Sequence, residues 1–203
     1  HDMVRFEIMK QFGYFVTESS EHSSEYYPWF IKKDHPELID RFHSPLDEYP
    51  RRCRDQIARW KQQAEHLVHN ENLTHTRSSE YAAGIIEALE TGRTFGFAGN
   101  VLNTGLIDNL PFDACVEVSC MVNEGHLSPC HMGPLPNQLA ALNRRQIEVH
   151  QLTVDAALTR KKEYIYQAAM LDPHAGSELT IDEIRSLVDD LIQAHGDWLP
   201  EYH

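Results

Sequence analysis

Apolar residues recur every four positions at the start of the chain. Val4, Ile8 and Phe12 share one helical face and leave Arg5 and Lys10 off it, which predicts a short amphipathic helix from Met3 to Phe12 ended by Gly13. Further on, Cys53, Ile57, Trp60, Ala64 and Leu67 repeat at intervals of four, three, four and three. That seam belongs to a longer helix whose other faces carry Arg51, Arg54, Lys61 and Gln63, and it reads as core. The His- and Asn-rich stretch from His66 to His75 reads as a loop. Ser78 is placed to cap a helix from Ser79 to Thr91, with Tyr81, Ile85 and Leu89 on one face and Gly92 as its stop.

The period then changes from four to two. Thr94 to Val101 is apolar and broken by glycine, and Val116, Val118, Cys120 and Val122 alternate with Glu117, Ser119 and Met121 as a half-buried strand does. Gly125 predicts a hairpin toward His126 to His131. From Pro136 helical spacing returns, with Leu139, Leu142, Ile147, Val149 and Leu152 on one element and Tyr164 to Leu171 on another. After the break at Pro173, Thr180 and Glu183 form a capping box, and Ile181, Ile184, Leu187, Val188, Leu191 and Ile192 read as a buried stripe. Strands grouped among more numerous helices predict an α+β fold, helix-rich with mainly antiparallel strands at its centre.

Composition narrows the partners. The 203 residues, 41% of them hydrophobic, suffice for one domain with a core of its own. With 31 acidic against 18 basic side chains the formal charge is −13, which opposes a polyanion and argues against nucleic acid as a partner. No apolar run is long enough to cross a bilayer and His1-Asp2-Met3 leads into no signal sequence, so a cytoplasmic protein without a membrane partner is expected. Cys53, Cys115, Cys120 and Cys130 read as free thiols. Cys115, Cys120, Cys130 and His131 lack the paired spacing of a zinc cage, so no metal ligand is assigned to this chain.

One segment is not explained by packing. In GYFVTESSEHSSEYYPW, Gly13 to Trp29, nine consecutive residues from Thr17 to Glu25 carry hydroxyl, carboxylate or imidazole groups between two aromatic clusters. A sugar needs many oriented donors and acceptors together with an aromatic face for its C–H surface. Serine-rich links also form plain turns and caps, and both readings stand at this point.

VRFEIMKQFGYFVTESSEHSSEYYPWFIKK, GLIDNLP followed by VEV, YQAAMLDPH and DEIRSLVDDLIQAHGDWLP, spread from Val4 to Pro200, resemble the carboxyl-terminal half of glycoside hydrolase family four, α-galactosidases of the melibiase type. The resemblance implies the fold of the lactate dehydrogenase carboxyl-terminal domain. It also implies NAD- and manganese-dependent cleavage of an α-galactoside in a homo-oligomer, by oxidation at C3, elimination, addition of water and reduction. Residues 1–203 would then be the single substrate-side domain. The NAD-binding Rossmann domain would be missing, since the ten glycines contain no Gly-x-Gly and the family's metal-binding cysteine and histidine precede Val4. The chain alone would be an inactive fragment that binds neither cofactor.

By the same resemblance Glu18, Ser20, Glu21 and Glu25 are candidate ligands for sugar hydroxyls, and Asn109 in the GLIDNLP turn is a further contact. Phosphoglycosidase relatives present a tyrosine base near this region, where this chain has Ser19 and Ser20. Tyr26 is therefore the first candidate for the base, followed by His22. Two alternatives stay open: a noncatalytic sugar-binding or oligomerisation module, and the same half of an α-glucuronidase or galacturonidase.

Overall fold

The computed structural model describes residues 2–74, 76 and 78–203. Nine α-helices and a three-stranded antiparallel sheet are formed among them, so the α+β class expected from the periodicity holds.

Helix α1 (Met3–Phe12) buries Val4 and Ile8 and ends where Gly13, at φ 82°, donates its N–H to the Met9 carbonyl. Helices α2 (Ser20–Tyr26) and α3 (Glu37–Phe42) follow, and Val4, Ile8, Phe30 and Phe42 make a first apolar cluster. Helix α4 (Glu48–His69) continues three residues past His66 before the expected loop begins. His75, at the far end of that loop, lies outside the described residues. The α4 seam is not core: none of the helix's residues is buried, and Ile57 and Trp60 are 60% and 61% exposed.

Helix α5 (Tyr81–Thr91) starts two residues later than expected, with Glu80 in place of Ser78 at its N-cap, while Ser78 Oγ accepts the Glu80 N–H at 3.4 Å. It lies on the sheet at Gly84, where a Cβ would stand 2.6 Å from the Phe95 ring. Strands β1 (Phe95–Leu102), β2 (Cys115–Asn123) and β3 (His126–Pro129) pair in that order, and the β2–β3 hairpin turns at Gly125, φ 76°. Val116, Val118, Cys120 and Val122 point inward as their alternation predicts. With Ile107, Leu110, Ala140 and Ile147 most of them form the second apolar cluster.

The 103–111 crossing over that cluster is held by one buried side chain. Asn103 Nδ2 donates to the carbonyls of Ile107, Leu110 and Pro111, and its Oδ1 accepts the Ile107 N–H.

Helix α6 (Asn137–Thr159) doubles back through Arg160, φ 62°, into α7 (Lys162–Leu171), and after α8 (Ala175–Glu178) comes α9 (Ile181–His195). The capping box is formed: Thr180 Oγ1 accepts the Glu183 N–H while Glu183 Oε2 accepts the Thr180 N–H. The stripe that follows splits. Ile184 and Val188 are buried, whereas Ile181, Leu187 and Leu191 are 66%, 40% and 49% exposed, because α7 covers only one side of α9.

Candidate functional site

The polar segment folds into a helix instead of lining a loop. Arg5 fixes its approach by donating from Nε to the Val16 carbonyl at 2.9 Å while its guanidinium lies 4.2 Å from the Phe15 ring centre. Glu18 turns its carboxylate back onto the Ser19 N–H at 2.7 Å. Ser19 is the N-cap of α2, its Oγ accepting the His22 N–H at 3.3 Å. Seven residues then alternate between a face toward the protein and a face toward solvent.

The inner face consists of Ser20, Ser23 and Ser24, which are 4%, 1% and 2% exposed. Serines are small enough to bring α2 close to α1. Ser24 Oγ donates to the Glu21 carbonyl at 2.6 Å, while the hydroxyls of Ser20 and Ser23 find no protein partner. Ser20, a candidate sugar ligand, therefore sits on the buried side. The outer face consists of His22, Glu25 and Tyr26 at spacings of three and four. His22 Nδ1 lies 3.1 Å from Glu25 Oε2, and the His22 and Tyr26 rings stack with centres 6.3 Å apart. The main chain at Tyr26 is anchored from α6, where Gln146 donates to its carbonyl at 3.1 Å. The next residue, Tyr27, is half-buried, and desolvation pushes its phenol above the ordinary value.

Of the remaining candidates, Glu21 is partly exposed on the first turn of α2, and Glu18 precedes the helix. Asn109 lies in another place. Its side chain is taken up by the main chain of Leu135, donating to the carbonyl at 2.8 Å and accepting the N–H at 2.9 Å, and its own carbonyl accepts two bonds from Arg144. Asn109 thus ties the 106–111 turn to the start of α6. From Gly13 to Ile31 there is no lysine or arginine, and the first that follows, Lys32, is paired with Glu178 of α8.

The pattern of polar residues gave no hint of the aromatic order beside this helix. Phe12, Trp29 and Tyr27 stack in series with ring centres 5.5 and 5.3 Å apart. Trp29 and Phe12 open onto a groove of about 360 Å³ that Glu7, Gln11 and Arg41 also line. The four-residue spacing of Glu7 and Gln11 on α1 was the available signal, and Gln11 Nε2 does donate to Glu7 Oε1 at 2.7 Å. Among the described residues, no three His, Cys, Asp or Glu side chains converge where they could hold a metal ion. No helix among them is long and apolar enough to cross a membrane.

Residues 1–175 match the model of the family 4 glycosyl hydrolase C-terminal domain. The chain is 60% identical to an α-galactosidase of Bacillus subtilis (strain 168), covering all of this chain and 47% of that protein. It is 32% identical to an α-galactosidase of Rhizobium meliloti (strain 1021), covering 99% of this chain and 43% of that one. The chain thus spans about half the length of the curated relatives it matches. Among solved structures, the 6-phospho-α-glucosidase from gut microorganisms in complex with NAD and glucose-6-phosphate superposes with a TM-score of 0.73 at 19% identity, over 98% of this chain and 44% of that one. A structure of a 6-phospho-α-glucosidase from gut microorganisms with NAD and Mn²⁺ gives 0.67, also at 19% identity, over 98% of this chain and 44% of that one. At such identities the likeness is one of fold.

Proposed function

The chain belongs to family 4 of the glycosyl hydrolases as their C-terminal domain, and from that premise we propose that it is the sugar-side part of an α-galactosidase. The observation that carries the choice of sugar is the charge of the α2 segment. Glu18, Glu21 and Glu25 surround His22 and Tyr26 with no lysine or arginine between Gly13 and Ile31. A uronate or a phosphorylated sugar would meet carboxylates there, and Arg5, the cation packed against the segment, is already turned onto the Val16 and Thr17 carbonyls and the Phe15 ring. A neutral galactoside meets acceptors for its hydroxyls. The 60% identity to an α-galactosidase supports the same choice.

NAD and manganese do not fit this chain's own residues. The described strands form one antiparallel sheet and not the parallel strand–helix–strand unit that cradles a dinucleotide, and no metal-binding group of side chains is formed among the described residues. We assign both to a dinucleotide-binding domain joined to this one in a cytoplasmic enzyme. What these residues supply is orientation and a proton acceptor. Tyr26, at 44% exposure, presents its ring beside the imidazole of His22, which Glu25 orients. We assign the proton taken from the sugar carbon to Tyr26 acting as the phenolate, which becomes the phenol, and hydroxyl contacts to His22, Glu25, Glu21 and Glu18; Ser20, buried against α1, and Asn109, bonded to the Leu135 main chain, are left to holding the fold.

In the enzyme that carries this domain, Tyr26→Phe is expected to lower kcat by about 10² to 10⁴, the usual worth of a positioned acid or base, without loss of folding. His22→Ala is expected to raise KM and spare kcat, since a ground-state contact contributes uniform binding. Initial rates on an aryl α-galactoside measure both, and unchanged turnover by the Tyr26→Phe enzyme would rule the assignment out.

A further inference from the structure

Helix α6 reaches the ends of two other helices with two glutamines, and the second of them meets the candidate base. Gln138 Nε2 donates to the Phe12 carbonyl at 3.3 Å, and Gln146 Nε2 donates to the Tyr26 carbonyl at 3.1 Å. Phe12 closes α1 and Tyr26 closes α2, so each amide takes up a last-turn carbonyl that the closing helix cannot bond itself. Their spacing of eight residues sets the two contacts about 12 Å apart along α6. From this geometry we propose that Gln146 is the positioning residue for Tyr26: its amide fixes the last residue of α2, and with it the phenol, at one place relative to the sugar carbon. The proposal rests on the assignment of Tyr26 as the proton acceptor and deepens it.

Helix α2 does not hold Tyr26 in place by itself. It is seven residues long, and its buried face is made of Ser20, Ser23 and Ser24, so no aliphatic side chain of its own locks its C-terminal end into a core. On its outer face Glu25 orients His22 and the His22 ring stacks on Tyr26, but these contacts lie within the helix and move with it. The bond from Gln146 comes from outside. Ile147, the next residue of α6, is 8% exposed and belongs to the apolar cluster of the sheet, so the amide is carried by the other core of the domain. The bond thereby ties the position of Tyr26 to that core. A displacement of about 1 Å at a reacting group costs as much as about 10² in rate, far more than one partly exposed hydrogen bond contributes to folding. Because Gln146 acts through the Tyr26 main chain, its loss belongs in kcat and not in KM.

Initial rates on an aryl α-galactoside, measured on the enzyme that carries this domain, test this as a mutant cycle. Gln146→Leu keeps the bulk and removes the donor; it should lower kcat at least about tenfold and leave KM within about twofold of the parent. In a Tyr26→Phe background the same change should alter kcat by less than about twofold, since no phenol is left to place. Gln138→Leu removes the matching bond at Phe12 and should leave both constants within about twofold. A normal kcat or a change confined to KM in Gln146→Leu would overturn the proposal. So would an equal further loss in the Tyr26→Phe background or an equal loss in Gln138→Leu, because either marks a general loosening of the domain. Circular dichroism accompanies each variant; if Gln146→Leu loses helix content, Gln146→Glu, which keeps the shape and puts an acceptor where the donor was, decides on the same terms. Normal turnover by Tyr26→Phe removes the base assignment and this proposal with it, whereas a slow Tyr26→Phe enzyme beside a normal Gln146→Leu enzyme overturns the proposal alone.

Discussion

At the scale of single residues, the decisive quantity is which side of a periodic stripe its own chain covers. Ile184 is 3% exposed and Leu187 is 40% exposed, though the sequence puts both in one stripe. Ile184→Ala is expected to cost about 2 to 5 kcal/mol through lost transfer energy and a cavity, against less than about 1 kcal/mol for Leu187→Ala in the monomer. Urea denaturation at low protein concentration separates them, and equal losses would contradict the burial. Gly84 gives a complementary case, since the Phe95 ring occupies the space of its missing Cβ at 2.6 Å. Gly84→Ala should destabilise by about 1 to 3 kcal/mol through overpacking, although alanine is the better helix former. A Phe95→Leu background should return most of that loss; if it does not, the closeness of α5 to the sheet is not the cause.

At the scale of elements, the carboxylates that cap or join helices are held below the ordinary carboxylate range. Glu183 is lowered first by the Thr180 backbone N–H, Glu178 first by Lys32, and Asp189 first by Lys162 and then by the Tyr166 hydroxyl. A group whose value is depressed in the fold stabilises above its unfolded value, and that contribution is lost as pH falls through the folded one. The melting temperature should therefore be steady near neutrality and fall as pH drops below about 4.5. Glu183→Gln should lower it at pH 7 and flatten the acid limb, and an acid limb of unchanged slope would remove the capping box as a contributor. The box itself, α1 with its Gly13 stop, the alternation of β2 and the Gly125 hairpin were all legible in the sequence, because each rests on contacts between near neighbours. Two things were not. The α4 seam was legible as an apolar face, but periodicity does not tell whether the chain's own core or another surface covers it. Helix α2 was hidden because SEHSSEY has no apolar period; its inner face is built from serines buried for their small size, and its start is set by the Ser19 cap. The candidate residues His22, Glu25 and Tyr26 were legible as a polar cluster beside aromatics, while their common face appears only once that stretch is helical.

At the scale of the molecule, the two apolar clusters are separate. Val4, Ile8, Phe30 and Phe42 form one with α1–α3, and the sheet with α6 forms the other. The described hydrogen bonds and ion pairs between α1–α3 and the rest are polar and few: Gln138 to the Phe12 carbonyl, Gln146 to the Tyr26 carbonyl, and Lys32 and Lys33 to Ser177 and Glu178. Partly exposed bonds of this kind contribute about 1 kcal/mol or less each, well below the worth of a buried aliphatic side chain. The segment carrying the candidate site should consequently open as a unit of its own, below the free energy of global unfolding. Ile8, 2% exposed, is the probe. Ile8→Ala should lower the opening free energy of α1–α3 amides by about 2 to 5 kcal/mol in native-state hydrogen exchange, while amides of β2 and α6 keep nearly their original protection. Loss of protection by the same amount throughout would show one cooperative core and remove the basis for treating the site segment as the mobile part of the domain. If the expected pattern holds, binding of an α-galactoside to the joined enzyme should slow exchange in α2 before it affects the sheet, since the ligand would be closing the least stable unit of the fold.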